Sequence, residues 1–110
     1  MASKALIADQ LKGQHFDGNN YEDWSRAVRS LLDEDDISHT LDGVQEEPIM
    51  AENGNLGEHR AAMNRYNKWR KQNRSARNVL ISTMHKELIP TYEVHETAKG
   101  IWDALVNAYK

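Results

Sequence analysis

The fold is decided by EHRAAMNRYNKWRKQNRSARNVLISTMHKEL, residues 58–88, a stretch without Gly or Pro. Within it, side chains suited to packing recur at alternating intervals of four and three residues, which places them on one face of an α-helix. This apolar stripe consists of Ala62, Tyr66, Trp69, Asn73, Ala76, Leu80 and Thr83. The pattern predicts one long helix over residues 58–88, ended by Pro90, because the residue before proline avoids helical angles.

A second helix is predicted near residues 20–36. Its apolar residues share one face at helical spacing. They are Tyr21, Trp24, Val28, Leu31 and Leu32. Asn20 is a residue type that caps helix N-termini, and a carboxylate at Asp23 can bond back to the backbone of the cap. We therefore expect Asn20 to cap this helix, which should end within the acidic run at residues 33–36.

A third helix is predicted near residues 95–110, with Thr97 or His95 as its cap. One face of this helix is apolar, and it carries Ala98, Ile101, Trp102, Leu105 and Tyr109. Because that face continues to the last residue of the sequence, we expect the natural protein to continue past Lys110, with this domain as part of something longer.

The segments between these helices lack such periodicity. Residues 1–14 are predicted to form an N-terminal arm. Residues 37–57 are predicted to form a loop with a short turn at SHTLDG, since Gly and Pro recur there. No segment has the alternation of a convincing strand, so the sequence predicts an all-α helical bundle that occupies residues 15–110 as one domain.

Composition excludes several classes of protein. The chain has 110 residues, and its longest apolar run is four residues, far below the length of a membrane span. It has no cysteine, which removes disulfides, zinc knuckles and thiol catalysis together. The net charge of −3 is uneven, because residues 1–61 carry −8 and residues 62–110 carry +5. Such polarity either reflects simple solvation of the surface or suits contact between copies of the chain, or with an acidic partner.

The motifs of catalysis and metal binding are missing. A calcium loop that started at Asp17 would need an oxygen ligand at its fifth position and glycine at its sixth, where Tyr21 and Glu22 stand. No two histidines have the spacing of a zinc pair on one helix face. Nucleophile elbows and phosphate-binding glycine loops are also absent from the sequence. We therefore expect no enzyme activity, no metal site, no cofactor and no small-molecule substrate.

The basic run RYNKWRKQNRSAR, residues 65–77, is the best candidate for a binding surface. Its charged side chains should face away from the apolar stripe, where they are either a solvated helix face or a contact for RNA phosphates or an acidic partner. The candidates are Arg70, Lys71, Arg74 and Arg77. Asn73 is the polar member of the stripe, and we expect it either to bond to a backbone carbonyl or a loop, or to be exposed at the stripe's edge.

Three phrases occur in a fixed order: FDGNNYEDW at residues 16–24, WRKQNRSA at residues 69–76 and TAKGIWDAL at residues 97–105. Together they resemble the N-terminal part of Gag from copia-type LTR retrotransposons, over residues 15–109. The residues that carry the resemblance are Phe16, Gly18, Tyr21, Trp24, Leu32, Trp69, Asn73, Ala76, Thr97, Ala98, Trp102 and Leu105. Two residues depart from the family pattern, since Asn73 replaces an Asp and Gly100 replaces a polar residue.

The resemblance implies a fold like the N-terminal domain of retroviral capsid proteins. It implies a structural role without catalysis, in which copies of Gag associate into a virus-like particle around element RNA in the cytoplasm of a eukaryotic host. The implied partners are other copies of the protein and, weakly, RNA, with no membrane. Two alternatives stay open: a nucleic-acid-binding module that uses the basic face, and a domesticated Gag that acts as an adaptor or assembly inhibitor.

Overall fold

The computed structural model describes residues 15–50 and 53–110. These residues form four α-helices, which are α1 (Tyr21–Glu34), α2 (Leu56–Ser82), α3 (Ile89–Tyr92) and α4 (Ala98–Tyr109). A 3-10 helix, Ser38–Leu41, lies between α1 and α2. The one β pairing in this part of the chain is a single parallel bridge between Phe16 and Met84. The all-α prediction is confirmed, whereas the predicted arm at residues 1–14 lies outside the described residues.

The core lies where α1, the 3-10 helix, α4 and the C-terminal half of α2 meet. Its members have at most a few per cent of their surface exposed. They are Phe16, Trp24, Val28, Leu31, Leu32, Ile37, Leu41, Ala76, Leu80, Met84, Tyr92, Ala98, Ile101 and Leu105. The N-terminal end of α2 is open to solvent, since Leu56 is 60% exposed. The apolar stripe of α2 therefore contacts this core mainly through its second half.

Helix α2 ends at Ser82, so the predicted end near residue 88 is wrong. The chain leaves the helix because it pairs with the segment before α1. The Phe16 N–H donates to the Thr83 carbonyl at 2.8 Å, and the His85 N–H donates to the Phe16 carbonyl at 2.8 Å. Pro90 does not end α2 but lies in the first turn of α3, where its missing N–H costs nothing.

The start of α1 also differs from the prediction. Asn20 precedes the helix, but its side chain forms no capping hydrogen bond. Its Oδ1 accepts from the Asp17 N–H at 3.1 Å, and its Nδ2 donates to the His15 carbonyl at 3.1 Å. Asn20 therefore closes the turn that contains Gly18, whose φ of 94° favours glycine.

The end of α1 is a Schellman motif. The Ile37 N–H donates to the Leu32 carbonyl at 2.9 Å, and the Asp36 N–H donates to the Asp33 carbonyl at 3.0 Å. Asp36 has a φ of 58°, in the left-handed region that glycine occupies at lower cost. The helix thus ends inside the acidic run, as expected, and Ile37 enters the core.

The segment at residues 37–57 is only partly a loop. The turn predicted at SHTLDG is the 3-10 helix, and it buries Thr40 and Leu41. The Thr40 hydroxyl donates to the Ile37 carbonyl at 2.7 Å, which satisfies a polar group that has no access to water. Helix α2 begins after Asn55, whose side chain accepts from the Glu58 N–H at 3.1 Å.

Thr97 caps α4, because its hydroxyl accepts from the Gly100 N–H at 3.0 Å. The sequence left His95 as an alternative cap. A Cβ at position 100 would lie 3.1 Å from that hydroxyl and 3.3 Å from the His95 Cβ. Glycine therefore weakens the helix intrinsically but leaves room for its cap.

The left-handed conformation of Asp36 gives a test of the helix end. Asp36→Gly should raise the free energy of unfolding by ~1 kcal/mol, since it relieves the strained φ and removes a negative charge from the negative end of α1. Urea unfolding measures the change. Asp33→Gly, inside the same helix, is the control and should destabilise by ~0.5–1 kcal/mol. If both variants lower the free energy of unfolding by the same amount, the Schellman geometry is contradicted.

The two hydrogen bonds of Asn20 distinguish a turn from a cap. Asn20→Ala should lower the free energy of unfolding by ~1 kcal/mol. Asn20→Asp should also destabilise, because a carboxylate keeps the acceptor for Asp17 but cannot donate to the His15 carbonyl. A capping residue would tolerate this exchange. Thermal and urea unfolding measure both variants, and an Asn20→Asp protein as stable as the wild type would restore the capping interpretation.

Candidate functional site

The residues of the first phrase meet around the ring of Phe16. This ring stacks on Trp24 with centroids 4.6 Å apart, and it meets the edge of Tyr109 at 5.1 Å. Tyr21 stacks on Tyr109 at 5.7 Å. Aromatic pairs in these arrangements contribute beyond the area that they bury. The start of α1 and the last turn of α4 are therefore joined through one aromatic cluster.

Thr83 connects this cluster to α2. The Trp24 indole Nε1–H donates to the Thr83 hydroxyl at 3.0 Å, and that hydroxyl donates to the Val79 carbonyl at 2.8 Å. Both Trp24 and Thr83 are buried, so each polar group needs its partner. The sequence placed Thr83 in the apolar stripe but could not show this hydrogen bond, since it joins residues that are 59 positions apart.

Asn73, in the second phrase, joins α2 to α4. Its Oδ1 accepts from the Ala98 N–H, the first amide of α4, at 2.8 Å. The partner is therefore a helix N-terminus rather than the expected carbonyl. Ala76 and Ala98 are both fully buried. An Asp at this position would place a negative charge at the positive end of α4.

Arg77 also holds the segment before α4. Its Nε donates to the His95 carbonyl at 2.9 Å, and its Nη2 donates to the Glu93 carbonyl at 2.7 Å. Arg77 is half-buried, unlike the exposed Arg70 and Arg74. The sequence grouped these residues by charge alone, but the structure gives Arg77 a role in the fold.

Three exposed basic residues of α2, Arg70, Lys71 and Arg74, lie along three clefts. Arg70 and Arg74 line one cleft with Asn73, Arg77 and Glu96. They line a second cleft with Asn67 and Lys71. Lys71 reaches a third cleft, which it shares with Asp35, Ile37, Gln72 and Ser75. Lys71 is thus close to the acidic end of α1, whereas Arg70 and Arg74 have neither an ion pair nor a hydrogen bond with any described residue.

The remaining residues that carry the resemblance are buried or half-buried in the fold. Leu32, Trp69 and Leu105 are buried, while Gly18, Tyr21, Thr97 and Trp102 are half-buried. The Trp69 Nε1 is buried without a hydrogen-bond partner among the described residues.

Tyr92 was not anticipated from the sequence and belongs to the core. Burial, followed by a hydrogen bond with Tyr109, raises the pKa of Tyr92 to about 12. Burial also raises the pKa of Tyr21, against a hydrogen bond with Ser25 that lowers it. Both phenols are therefore protonated at neutral pH and act as packing and hydrogen-bonding groups.

The described residues contain neither a metal-binding cluster nor a membrane-spanning helix. No group of three or more His, Cys, Asp or Glu side chains within residues 15–50 and 53–110 could hold a metal ion. None of the helices in this part of the chain is long and apolar enough to cross a membrane.

Comparison with known proteins identifies one family. The family model described as gag-polypeptide of LTR copia-type matches residues 28–110. The matched range includes the second and third phrases and excludes the whole of the first, which ends at Trp24. Searches of curated proteins and of solved structures returned no match.

The bond between Asn73 and Ala98 predicts the effect of the usual family residue. Asn73→Asp should raise the free energy of unfolding by ~0.5–1 kcal/mol at neutral pH, since a charged acceptor strengthens the bond and suits the helix dipole. Such a carboxylate has a lowered pKa in the folded state, so the gain should vanish as the pH falls below ~4. Urea unfolding at pH 7 and at low pH measures this. Asn73→Ala is the control and should destabilise by ~1 kcal/mol at both pH values. A gain from Asn73→Asp that persists in acid would contradict the electrostatic account.

Proposed function

The chain belongs to the Gag polypeptide family of copia-type LTR retrotransposons, a structural family, and we propose that it is the capsid-type domain through which copies of Gag associate into a particle. The observation that carries the proposal is the family match over residues 28–110. In this proposal the particle encloses element RNA and assembles in the cytoplasm of a eukaryotic host. The domain itself performs no catalysis and uses no cofactor, small-molecule substrate or membrane.

The charges of the two long helices support contact between copies. Helix α2 carries seven Lys/Arg and a single carboxylate, Glu58. Helix α1 and the two residues after it carry six carboxylates and two arginines. Surfaces of opposite sign attract one another and orient an encounter. Such contacts are individually weak, and they gain strength when many copies engage at once.

Exposed apolar side chains support the same proposal. Ile49 is 92% exposed, and Val44, Met50 and Leu56 are each at least 42% exposed. All four lie between the 3-10 helix and the first turn of α2. Exposed apolar area of this kind commonly marks a contact with another protein.

A second candidate function is nucleic-acid binding by the basic face of α2. The observation in its favour is that residues 59–86 contain no Asp or Glu. No carboxylate of the helix in this range therefore neutralises the positive charge that would attract phosphates. The domesticated alternative, an adaptor or assembly inhibitor, would use the same contacts between copies.

Self-association is tested by sedimentation velocity of the 110-residue chain. We expect monomers that associate weakly between ~10 µM and ~1 mM, because each contact alone should be worth only ~4–7 kcal/mol. Higher salt should weaken the association if opposite charges contribute to it. Ile49→Ser, which changes a fully exposed side chain, should reduce association without changing stability, whereas Val94→Ser, at another exposed apolar residue, is the matched control.

Two results would contradict the proposal. One is a chain that remains monomeric at every concentration and salt. The other is a closed, stable oligomer of the chain alone, since weak contacts that depend on multiplicity do not produce one.

A further inference from the structure

Three arginines converge on one side of α2. Arg70, Arg74 and Arg77 follow at intervals of four and three residues, the spacing of neighbours on a helix face. They line a cleft of about 360 Å³. Asn73 and Glu96 line it too, and Glu96 is the one carboxylate among these residues. Three positive charges therefore face a single negative one.

Of the three arginines in this cleft, only Arg77 forms side-chain hydrogen bonds with the rest of the described residues. Arg77 is held by the carbonyls of Glu93 and His95, which use its Nε–H and one N–H of Nη2. A guanidinium has five N–H donors, so three of them remain. Arg70 and Arg74 are exposed and have no partner among the described residues. The cleft thus offers one oriented guanidinium and two free ones.

The charges around the cleft leave this positive potential unbalanced. No Asp or Glu occurs from residue 59 to residue 86, so no helix neighbour of Arg70 or Arg74 can form an ion pair with it. Like charges at these spacings repel one another. Two of the first amides of α4, those of Ala98 and Gly100, are already bound by Asn73 and Thr97. An anion in the cleft would relieve the repulsion among the guanidinium groups.

We propose that this cleft binds phosphate groups, either in the backbone of single-stranded RNA or in a free polyphosphate. A phosphate presents several oxygens at once, and planar guanidinium groups bind such oxygens in pairs. A concave site with three arginines fits a compact, multiply charged group better than it fits a flat acidic surface of a second copy. The proposal does not depend on self-association, because one copy of the chain supplies the whole site.

The structure also separates Lys71 from this site. Lys71 lines the neighbouring clefts, one of them with Asp35, but not the cleft of the three arginines. A diffuse basic strip would use Lys71 and Arg74 equally. A discrete site would depend on Arg74 more.

The test uses the 110-residue chain with two probes. Sodium tripolyphosphate is titrated by calorimetry, and a fluorescently labelled single-stranded oligouridylate is titrated by anisotropy over a range of salt. Arg74→Gln should weaken tripolyphosphate binding ~10-fold, because it removes a charge-assisted contact from the site. Glu96→Gln should tighten binding ~3-fold, because it removes the repelling carboxylate. Arg65→Gln, an equal charge change on the same helix outside the cleft, should change it less than ~2-fold.

The RNA probe distinguishes the two sources of phosphate. If RNA is the ligand, Arg74→Gln should also weaken oligouridylate binding and reduce the salt slope by ~0.7, the value for one phosphate contact on a single strand. If the variants change the affinity for tripolyphosphate as predicted but do not change the affinity for oligouridylate, the ligand is a free polyphosphate. Both results support the phosphate site. Arg74 has no partner in the fold, so its variant should keep the stability of the wild type, and unfolding by urea checks this.

Three results would overturn the proposal. The first is no binding of either probe at ~150 mM salt, where contacts to phosphates should still be measurable. The second is an equal loss of binding affinity in Arg65→Gln and Arg74→Gln. This would show that the whole basic face attracts phosphate and that the cleft is not a discrete site. The third is a failure of both probes to bind while Arg74→Gln abolishes self-association, which would assign the cleft to the acidic surface of a second copy.

Discussion

The pairing of Phe16 with the end of α2 is the constraint on which the rest of the structure depends. Its two backbone hydrogen bonds, to Thr83 and His85, stop α2 at Ser82. They also place the Phe16 ring between Trp24 and Tyr109, so that one residue joins the start of α1, the end of α2 and the end of α4. Phe16 is therefore part of the core, although the described residues before α1, 15–20, form no helix.

A second set of hydrogen bonds fixes the other end of α4. Asn73 binds the first amide of that helix, and Arg77 binds two carbonyls just before it. Both side chains lie on α2 next to Arg70 and Arg74. The same stretch of helix therefore positions α4 with two of its polar residues and presents positive charge to solvent with the others.

Spacing along the sequence was enough to predict the three main helices, the all-α class and most of the core. Amphipathic periodicity reports which face of a helix is buried, and that information is local. Two of the errors arose where distant segments meet. Phe16 ends α2 by a contact across the fold. The error at Asn20 is local, because its side chain binds residues three and five positions before it instead of capping α1. Arg77 was grouped with the exposed arginines because charge in a sequence does not reveal that carbonyls 16 and 18 residues away would use its donors.

The central claim, that the Phe16 pairing belongs to the core, is tested most directly by native-state hydrogen exchange. The account predicts that the amides of Phe16 and His85 exchange only through global unfolding, as do those of the core helices. The amide of Ile49 has no backbone hydrogen bond with any described residue, and its side chain is 92% exposed, so it should exchange rapidly and serve as the reference. Exchange of the Phe16 and His85 amides at the rate of Ile49 would show that this pairing opens independently, and would contradict the account.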